Sequence, residues 1–139
     1  MATDSNLAVI VLAAGKGTRM ESDLPKVLHP LAGRPLIAHV MASLAALEPQ
    51  RIVVVVGPDM EDMAEVVAPA QTVVQDPQLG TGHAVLQARE ALSDFSGDVL
   101  VFYGDSPLFR PQTLATLVAA RGDAACAVLG FLPEGENQY

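Results

Sequence analysis

Short apolar runs and amphipathic stretches alternate along the chain. Five predominantly apolar runs have the length of buried strands: Leu7–Ala13, Ile52–Val56, Thr72–Gln75, Val99–Tyr103 and Ala124–Phe131. After the first run, Pro35 opens a stretch whose apolar residues recur with the roughly 3.6-residue period of an α-helix, at Leu36, Ile37, Val40, Met41, Leu44 and Leu47. Further helices are predicted over Met60–Val67, Ala84–Leu92 and Pro111–Ala120.

This alternation predicts an α/β fold in which helices cover both faces of a doubly wound, mostly parallel sheet. A chain of 139 residues suits one such domain, which we expect to be truncated after about five strands. Ligands of such sheets bind at the carboxyl ends of the strands. The unusual residues of this sequence follow predicted strand ends, so we expect the functional site at that edge.

Composition and charge exclude several classes of protein. Half of the residues are hydrophobic and 17% are charged, which is not the composition of a disordered chain. The net charge of −8 argues against a nucleic-acid or membrane-surface binder, because both need positive patches. No apolar run approaches the ~18–20 residues that span a bilayer. The single cysteine, Cys126, falls in a predicted strand and cannot form an internal disulfide. We expect a cytoplasmic enzyme or ligand-binding domain.

A glycine-containing turn, Gly15–Arg19, follows the first predicted strand and suits phosphate, because glycine lets backbone N–H groups approach a ligand. The turn lacks the Gly-Lys-Ser/Thr of a P-loop and the third glycine of a dinucleotide-binding fingerprint. Half of the eight lysines and arginines lie in this region, at Lys16, Arg19, Lys26 and Arg34. Each could be a solvated surface charge, but the cluster predicts an anion site.

Polar residues after the third predicted strand could recognise a nucleoside. The Gln75 amide offers a donor and an acceptor to a base edge. In the Gly80-Thr81-Gly82 turn the glycines free the backbone to contact a ring or a ribose, and the Thr81 hydroxyl could cap the next helix. Alternatively, Gln75 is a solvated strand end and Thr81 is only a cap. His83 is interpreted as a packed or exposed residue of the first helical turn, and the histidines lack metal-ligand spacing.

Asp105 follows the fourth predicted strand and is a candidate Mg²⁺ ligand. Mg²⁺ usually takes one or two protein carboxylates, and phosphate and water oxygens complete its shell. Alternatively, Asp105-Ser106-Pro107 only initiates a turn. The pattern indicates no poised nucleophile. A site with a glycine turn, cations and one carboxylate favours phosphoryl or nucleotidyl transfer by positioning and charge neutralisation.

Several segments are similar to motifs of one enzyme family. They are Leu12–Met20 (LAAGKGTRM), Asp23–His29 (DLPKVLH), Leu31-Ala32-Gly33, Gln78–Ala84 (QLGTGHA) and Tyr103-Gly104-Asp105. Together they resemble the sugar nucleotidyltransferases. The last two narrow the resemblance to the uridyltransferase domain of the bifunctional bacterial N-acetylglucosamine-1-phosphate uridyltransferase/glucosamine-1-phosphate acetyltransferases, over virtually the whole chain.

The resemblance implies a Rossmann-like nucleotidyltransferase fold and a Mg²⁺-dependent reaction. UTP and N-acetylglucosamine 1-phosphate would give pyrophosphate and UDP-N-acetylglucosamine, a precursor of peptidoglycan and lipopolysaccharide. The resemblance implies that Arg19 and Lys26 act catalytically on the phosphates and that Asp105 binds Mg²⁺. It implies nucleotide or substrate contacts for Leu12, Ala13, Ala14, Gly15, Lys26, Gln75, Gly80, Thr81, Tyr103, Gly104 and Asp105.

The resemblance also implies that residues 1–139 are the N-terminal part of an incomplete domain. The family's sugar-binding segment, its second metal ligand (an asparagine) and its β-helix acetyltransferase domain would lie beyond Tyr139. Full-length proteins of this kind would form homotrimers through that last domain. We therefore expect this chain to supply the nucleotide-binding half of the site, and the isolated chain to be inactive.

Three alternative functions fit parts of the sequence. A receiver-type signalling domain has similar length and acidity, but it needs acidic residues after the first strand, where this chain has Ala13 and Ala14. Another sugar or alcohol phosphate nucleotidyltransferase stays open, because the first glycine turn does not exclude it. A noncatalytic nucleotide-binding fragment also stays open.

Overall fold

The computed structural model describes residues 6–135 of the chain. In chain order its elements are β1 (Leu7–Leu12), β2 (Pro30–Leu31), β3 (Arg34–Pro35), α1 (Leu36–Ala45), β4 (Arg51–Val56), α2 (Met63–Val67), β5 (Gln71–Val74), α3 (Thr81–Gln87), β6 (Asp98–Tyr103) and α4 (Pro111–Arg121). Short 3₁₀ turns lie at Thr18–Met20 and Lys26–Leu28. No helix within the described range is long and apolar enough to cross a membrane.

The central sheet has four parallel strands in the order β5-β4-β1-β6. Strand β1 lies between β4 and β6, so that Val9 is opposite both Ile52 and Leu100. From β1 the chain extends the sheet to one side through β4 and β5 and then returns to the other side with β6. The prediction of an α/β fold with a doubly wound parallel sheet is confirmed.

Helices cover the two faces of the sheet unequally. On one face, the helices α1, α2 and α4 pack against alternate strand residues through side chains that include Ile37, Leu44, Met63 and Leu114. On the other face, the small residues Ala84 and Ala88 bring α3 close to Ile10, Val53 and Val55. Because α3 packs on β1 and β4, the residues of β6 on that face, Val99, Val101 and Tyr103, stay exposed. Tyr103 is the last residue of β6, at the carboxyl edge of the sheet.

The predicted fifth strand, Ala124–Phe131, is wrong. In the structure this segment has no regular secondary structure, and β6 has β1 as its strand partner among residues 6–135. Cys126 is exposed, and Val128 keeps 85% of its surface accessible. The segment is apolar, but a strand also needs a neighbouring backbone to satisfy its N–H and C=O groups, and no described strand pairs with it.

The remaining differences from the sequence prediction are local. The hairpin of β2 and β3 was not predicted, because two prolines flank a very short turn. Its turn residues Ala32 and Gly33 both have positive φ, 50° and 79°. Helix α3 begins at Thr81, three residues before the predicted start, and it ends at Gln87. Neither difference moves an element away from the sheet.

Candidate functional site

A cavity of about 560 Å³ opens at the carboxyl edge of the sheet. All of the predicted site residues except Gly104 line it: Leu12, Ala13, Ala14, Gly15, Arg19, Lys26, Gln75, Gly80, Thr81, Tyr103 and Asp105. Gly104 lies buried beside it and donates its backbone N–H to the Leu12 carbonyl at 2.9 Å. The ends of β1, β5 and β6 therefore bring together residues that are up to 93 positions apart in sequence (12 to 105).

The turn after β1 is built around close backbone contacts. The N–H of Ala13 bonds to the Val55 carbonyl at 2.8 Å, which holds the start of the turn against β4. Gly17 has φ +56°, and a Cβ atom there would lie 2.7 Å from the Cβ of Lys26. Glycine is therefore needed at this position both for its conformation and for the approach of Lys26.

Lys26 and Asp105 form an ion pair at one side of the cavity, with 2.7 Å between Nζ and Oδ2. Their side chains keep 41% and 34% of their surface exposed, so both charges are reachable from the cavity. The Ser106 hydroxyl is 3.4 Å from the other carboxylate oxygen of Asp105, a long contact. Gly104 allows this arrangement, because a Cβ there would lie 3.3 Å from both Ala13 Cβ and Val27 Cγ1.

The predicted cation cluster is only partly assembled. Arg19 and Lys26 line the cavity, whereas Lys16 and Arg34 do not. Arg34 lies on β3 and its guanidinium is directed toward the Ala38 carbonyl of α1, at 3.4 Å. The two cations that line the cavity are those to which the resemblance gave catalytic roles. The spacing along the sequence could not separate them from the other two, because all four lie close together between β1 and α1.

Gln75 is buried and fixed, not solvated. Its relative exposure is only 3%, and among residues 6–135 the other side chains of the buried core are apolar. Its backbone N–H continues the sheet pattern to the Val56 carbonyl at 2.8 Å. Its side-chain Nε2 donates to the Gly80 carbonyl at 3.0 Å and lies 3.0 Å from Nδ1 of His83. The alternative interpretation of Gln75 as a solvated strand end is wrong.

Thr81 lines the cavity but does not cap a helix through its hydroxyl. It is the first residue of α3, and Gly80 occupies the cap position with φ 103°. No side-chain hydrogen bond caps this helix. The glycine is favoured here because its positive φ is costly for residues that have a Cβ atom.

No role at the site was predicted for several residues that line the cavity or contact a lining residue. Gln78 lines the cavity and its amide donates a hydrogen bond to the Ala14 carbonyl, so it ties the segment before α3 to the turn after β1. His83 contacts the amides of both Gln75 and Gln87. The remaining lining residues are Gly17, Met20, Val27 and Ala84. Gln78 belongs to the motif Gln78–Ala84, but no sequence pattern predicted the contact of its amide with the Ala14 carbonyl.

The cavity wall suits a metal that is shared with phosphates. Asp105 is the one carboxylate among the described lining residues, and the described part of the chain contains no group of three or more His, Cys, Asp or Glu side chains that could hold a metal ion by itself. Mg²⁺ commonly binds through one or two carboxylates together with substrate phosphates and water. The donor set therefore fits Mg²⁺ brought with a nucleotide and does not fit a fully protein-bound metal.

Comparisons with known proteins identify relatives of this chain. The chain is 58% identical, over 138 residues, to the bifunctional protein GlmU of Paramagnetospirillum magneticum; the match covers 97% of this chain and 31% of that protein. A crystal structure of a homolog of Mycobacterium tuberculosis rv0371c, from a mycobacterium strain JC1, superposes with a TM-score of 0.73 at 25% identity, covering 85% of this chain and 60% of that one. The inositol-1-phosphate CTP transferase of T. maritima superposes with a TM-score of 0.63 at 27% identity, covering 80% and 48%.

The chain spans about a third of the length of the curated relatives it matches, and the matches are strong enough to confirm the resemblance stated from the motifs. The profile of one family, the MobA-like NTP transferase domain, matches residues 9–137. This chain belongs to that family of nucleotidyltransferases.

Proposed function

We propose that this chain provides the nucleotide-binding half of a uridylyltransferase. The complete reaction joins an oxygen of N-acetylglucosamine 1-phosphate to the α-phosphorus of UTP and breaks the bond to the β-phosphate, so that pyrophosphate leaves. Family membership and the 58% identity to a bifunctional GlmU support the reaction class. The observation that carries the proposal is a cavity at the carboxyl edge of the sheet that has a buried amide, Gln75, on one wall and the Lys26–Asp105 pair on another.

The apolar and amide walls are assigned to the nucleoside. Leu12, Ala13, Ala14 and Gly15 form a backbone-rich surface at the end of β1, where glycine and alanine leave room for a ligand. Gln75 with the Gly80-Thr81 segment would recognise the uracil ring. The Tyr103 side chain, 53% exposed at the end of β6, would contact the nucleotide or the sugar.

The charged wall is assigned to the phosphates. Arg19 would bind the leaving pyrophosphate, and Lys26 would bind phosphate oxygens. Mg²⁺, held by Asp105 and the phosphates, would supply positive charge near the reacting phosphorus. In the structure Lys26 pairs with Asp105. Phosphate binding would turn the Lys26 ammonium toward the phosphate oxygens and leave the Asp105 carboxylate available for the metal.

A cytidylyltransferase is the second candidate, because one structural neighbour is described as an inositol-1-phosphate CTP transferase. Titration calorimetry of the 139-residue chain with UTP, CTP, ATP and dTTP, with and without Mg²⁺, tests both. We expect UTP to bind most tightly and its binding to strengthen with Mg²⁺. Equal affinity for the four nucleotides would contradict the uridine assignment, and no binding at all would contradict the nucleotide site.

Transfer itself can be tested in a chimera, in which this chain replaces the matched segment of the Paramagnetospirillum magneticum relative. We expect the chimera to release pyrophosphate from UTP only when N-acetylglucosamine 1-phosphate and Mg²⁺ are both present. The parent protein serves as the control for the assay. A folded chimera that binds UTP without releasing pyrophosphate would contradict the transferase proposal for this chain while leaving nucleotide binding in place.

A further inference from the structure

The amide of Gln75 is held in one orientation by its neighbours. The atom that faces the Gly80 carbonyl at 3.0 Å must be the NH₂ nitrogen, because a carbonyl oxygen only accepts hydrogen bonds. The same nitrogen lies 3.0 Å from Nδ1 of His83, so its second hydrogen is directed at a ring nitrogen that must carry a lone pair. Both hydrogens of the amide are therefore used within the protein.

The carbonyl oxygen of the same amide is the group left for a ligand. Among the described groups of residues 6–135, none donates a hydrogen bond to Gln75 Oε1. Gln75 lines the cavity although 97% of its surface is buried (3% exposed). A nucleobase that enters the cavity would therefore meet an acceptor at this position, and a base edge with an N–H group would satisfy it.

We propose that His83 is a positioning residue for base selection, since it holds the Gln75 amide with Oε1 toward the base. The inference rests on the nucleotide site proposed above and names what sets its selectivity. Uracil carries an N–H at ring position 3, which can donate to Oε1, whereas cytosine carries a lone pair there, which repels it. A site whose buried polar group is left unpaired by the wrong ligand discriminates against that ligand.

Gln87 makes a competing demand on the same imidazole. Its Nε2 lies 3.1 Å from Nε2 of His83 and 3.1 Å from the His83 carbonyl. A neutral imidazole has a single lone-pair nitrogen, so Gln75 and Gln87 cannot both donate to the ring. Each amide also donates to a carbonyl, Gln75 to that of Gly80 and Gln87 to that of His83, so burial distinguishes them. Gln75 decides the tautomer, because its buried amide has no access to water, whereas the half-buried Gln87 can exchange its contact with the ring for water. His83 therefore keeps its proton on Nε2.

Nucleotide selectivity of three variants tests this inference in the 139-residue chain. His83→Leu keeps a comparable bulk but removes the acceptor, so the amide of Gln75 is free to turn. We expect the ratio of UTP to CTP affinity to fall about three- to tenfold, as the loss of one neutral hydrogen bond predicts. His83→Asn places a carbonyl oxygen near the former Nδ1 and should recover most of the ratio. His39→Leu removes a histidine that contacts the Leu31 carbonyl away from the cavity, and it should leave the ratio unchanged.

The outcomes separate this inference from the proposed function. If the wild-type chain prefers UTP and His83→Leu keeps the full preference, His83 does not position the amide. Loss of the preference in both His83→Leu and His83→Asn also overturns the inference. His83 would then act through the packing of its ring, because the acceptor that asparagine restores would not be enough. If the wild-type chain binds the nucleotides without preference, the proposed base-recognition site itself is contradicted.

The tautomer of His83 is measurable without any nucleotide. Long-range ¹H–¹⁵N spectra of the imidazoles should show His83 with its proton on Nε2 and an unprotonated Nδ1. A neutral ring with its proton on Nδ1 would overturn the inference even in a chain that binds UTP selectively, since Gln75 could then not donate to it.

Discussion

Two ion pairs lie at opposite ends of the same sheet, and they are built differently. At the carboxyl end, Lys26 meets Asp105 through a single contact of 2.7 Å on the cavity wall. At the other end, Arg51 at the start of β4 donates through Nη2 to Asp94 at 2.9 Å and through Nη1 to the Ala91 carbonyl at 3.1 Å. The hydrogen bonds from Arg51 lower the pKa of Asp94 to about 2. The hydrogen bond to Asp94 in turn raises the pKa of Arg51.

The difference between the pairs separates a structural contact from an exchangeable one. The planar guanidinium of Arg51 has several donors in fixed directions, and it ties the segment after α3 to β4. An ammonium is a compact charge on a flexible stem, so Lys26 can leave Asp105 for a phosphate at little geometric cost. We therefore expect substitutions at the two pairs to affect different properties, turnover at one end and the pH dependence of stability at the other.

The largest effect is expected for Asp105→Asn in the chimera described above. The amide keeps the size of the side chain but loses the charge that would hold Mg²⁺ beside the phosphates. Turnover should fall by about a hundredfold or more, because charge neutralisation matters most while charge moves to the leaving group. UTP affinity, measured by calorimetry in the same protein, should change much less.

The matched control is Asp94→Asn, which removes a carboxylate from the other ion pair. It should leave the turnover near that of the unsubstituted chimera. Equal losses of turnover in the two variants would erase the distinction between the pairs, because they would point to a general loss of folded protein.

The fold was largely predictable because the strands are buried on both faces. Apolar runs that end at glycine or at polar residues marked β1, β4 and β6 to within one residue at each end. The prediction failed at residues 124–131, where apolar character was the only signal. Strand formation depends on a partner backbone as well as on side chains, and the local sequence does not show whether another strand lies alongside.

The site was predictable at the level of which residues meet and not at the level of how they are oriented. Parallel strands end at one edge, so Gln75 and Asp105 were expected near the turn after β1. The contact of Gln75 with His83 depends on side-chain conformations that no sequence pattern specifies. The burial of Gln75, which separates a fixed amide from a solvated one, also follows only from packing.

A smaller effect is expected for Gly17→Ala, which tests how closely Lys26 is held. The new Cβ would lie 2.7 Å from the Lys26 Cβ, and the alanine would have to adopt a φ of +56°. The free energy of unfolding should fall by about 1–2 kcal/mol, and UTP binding should weaken because Lys26 is displaced. Urea denaturation and calorimetry measure the two changes.

Gly82→Ala is the matched control for that variant. Gly82 lies in α3, its φ is not in the left-handed region, and a Cβ there would meet nothing within 4 Å. Alanine should be neutral or slightly stabilising at this position, because it favours a helix more than glycine does. If Gly17→Ala were as harmless as Gly82→Ala, the turn after β1 would not constrain Lys26.

The smallest effect is expected at the Arg51–Asp94 pair, and its pH dependence is confined to acid. The pKa of Asp94 in the folded protein is about 2, below its usual value of 3.8, so the unfolded chain binds the proton more readily. The stabilising contribution of the Asp94 carboxylate is therefore present above about pH 4 and is lost as the pH falls toward 2. The contribution is small because 72% of the Asp94 side chain is exposed and water screens the charges.

The urea midpoints of the wild-type chain and of Asp94→Asn should differ at about pH 6 and converge as the pH approaches 2. A difference that stays constant across this range would show that Asp94 contributes through packing and not through its charge, and the contrast between the two ion pairs would then no longer hold.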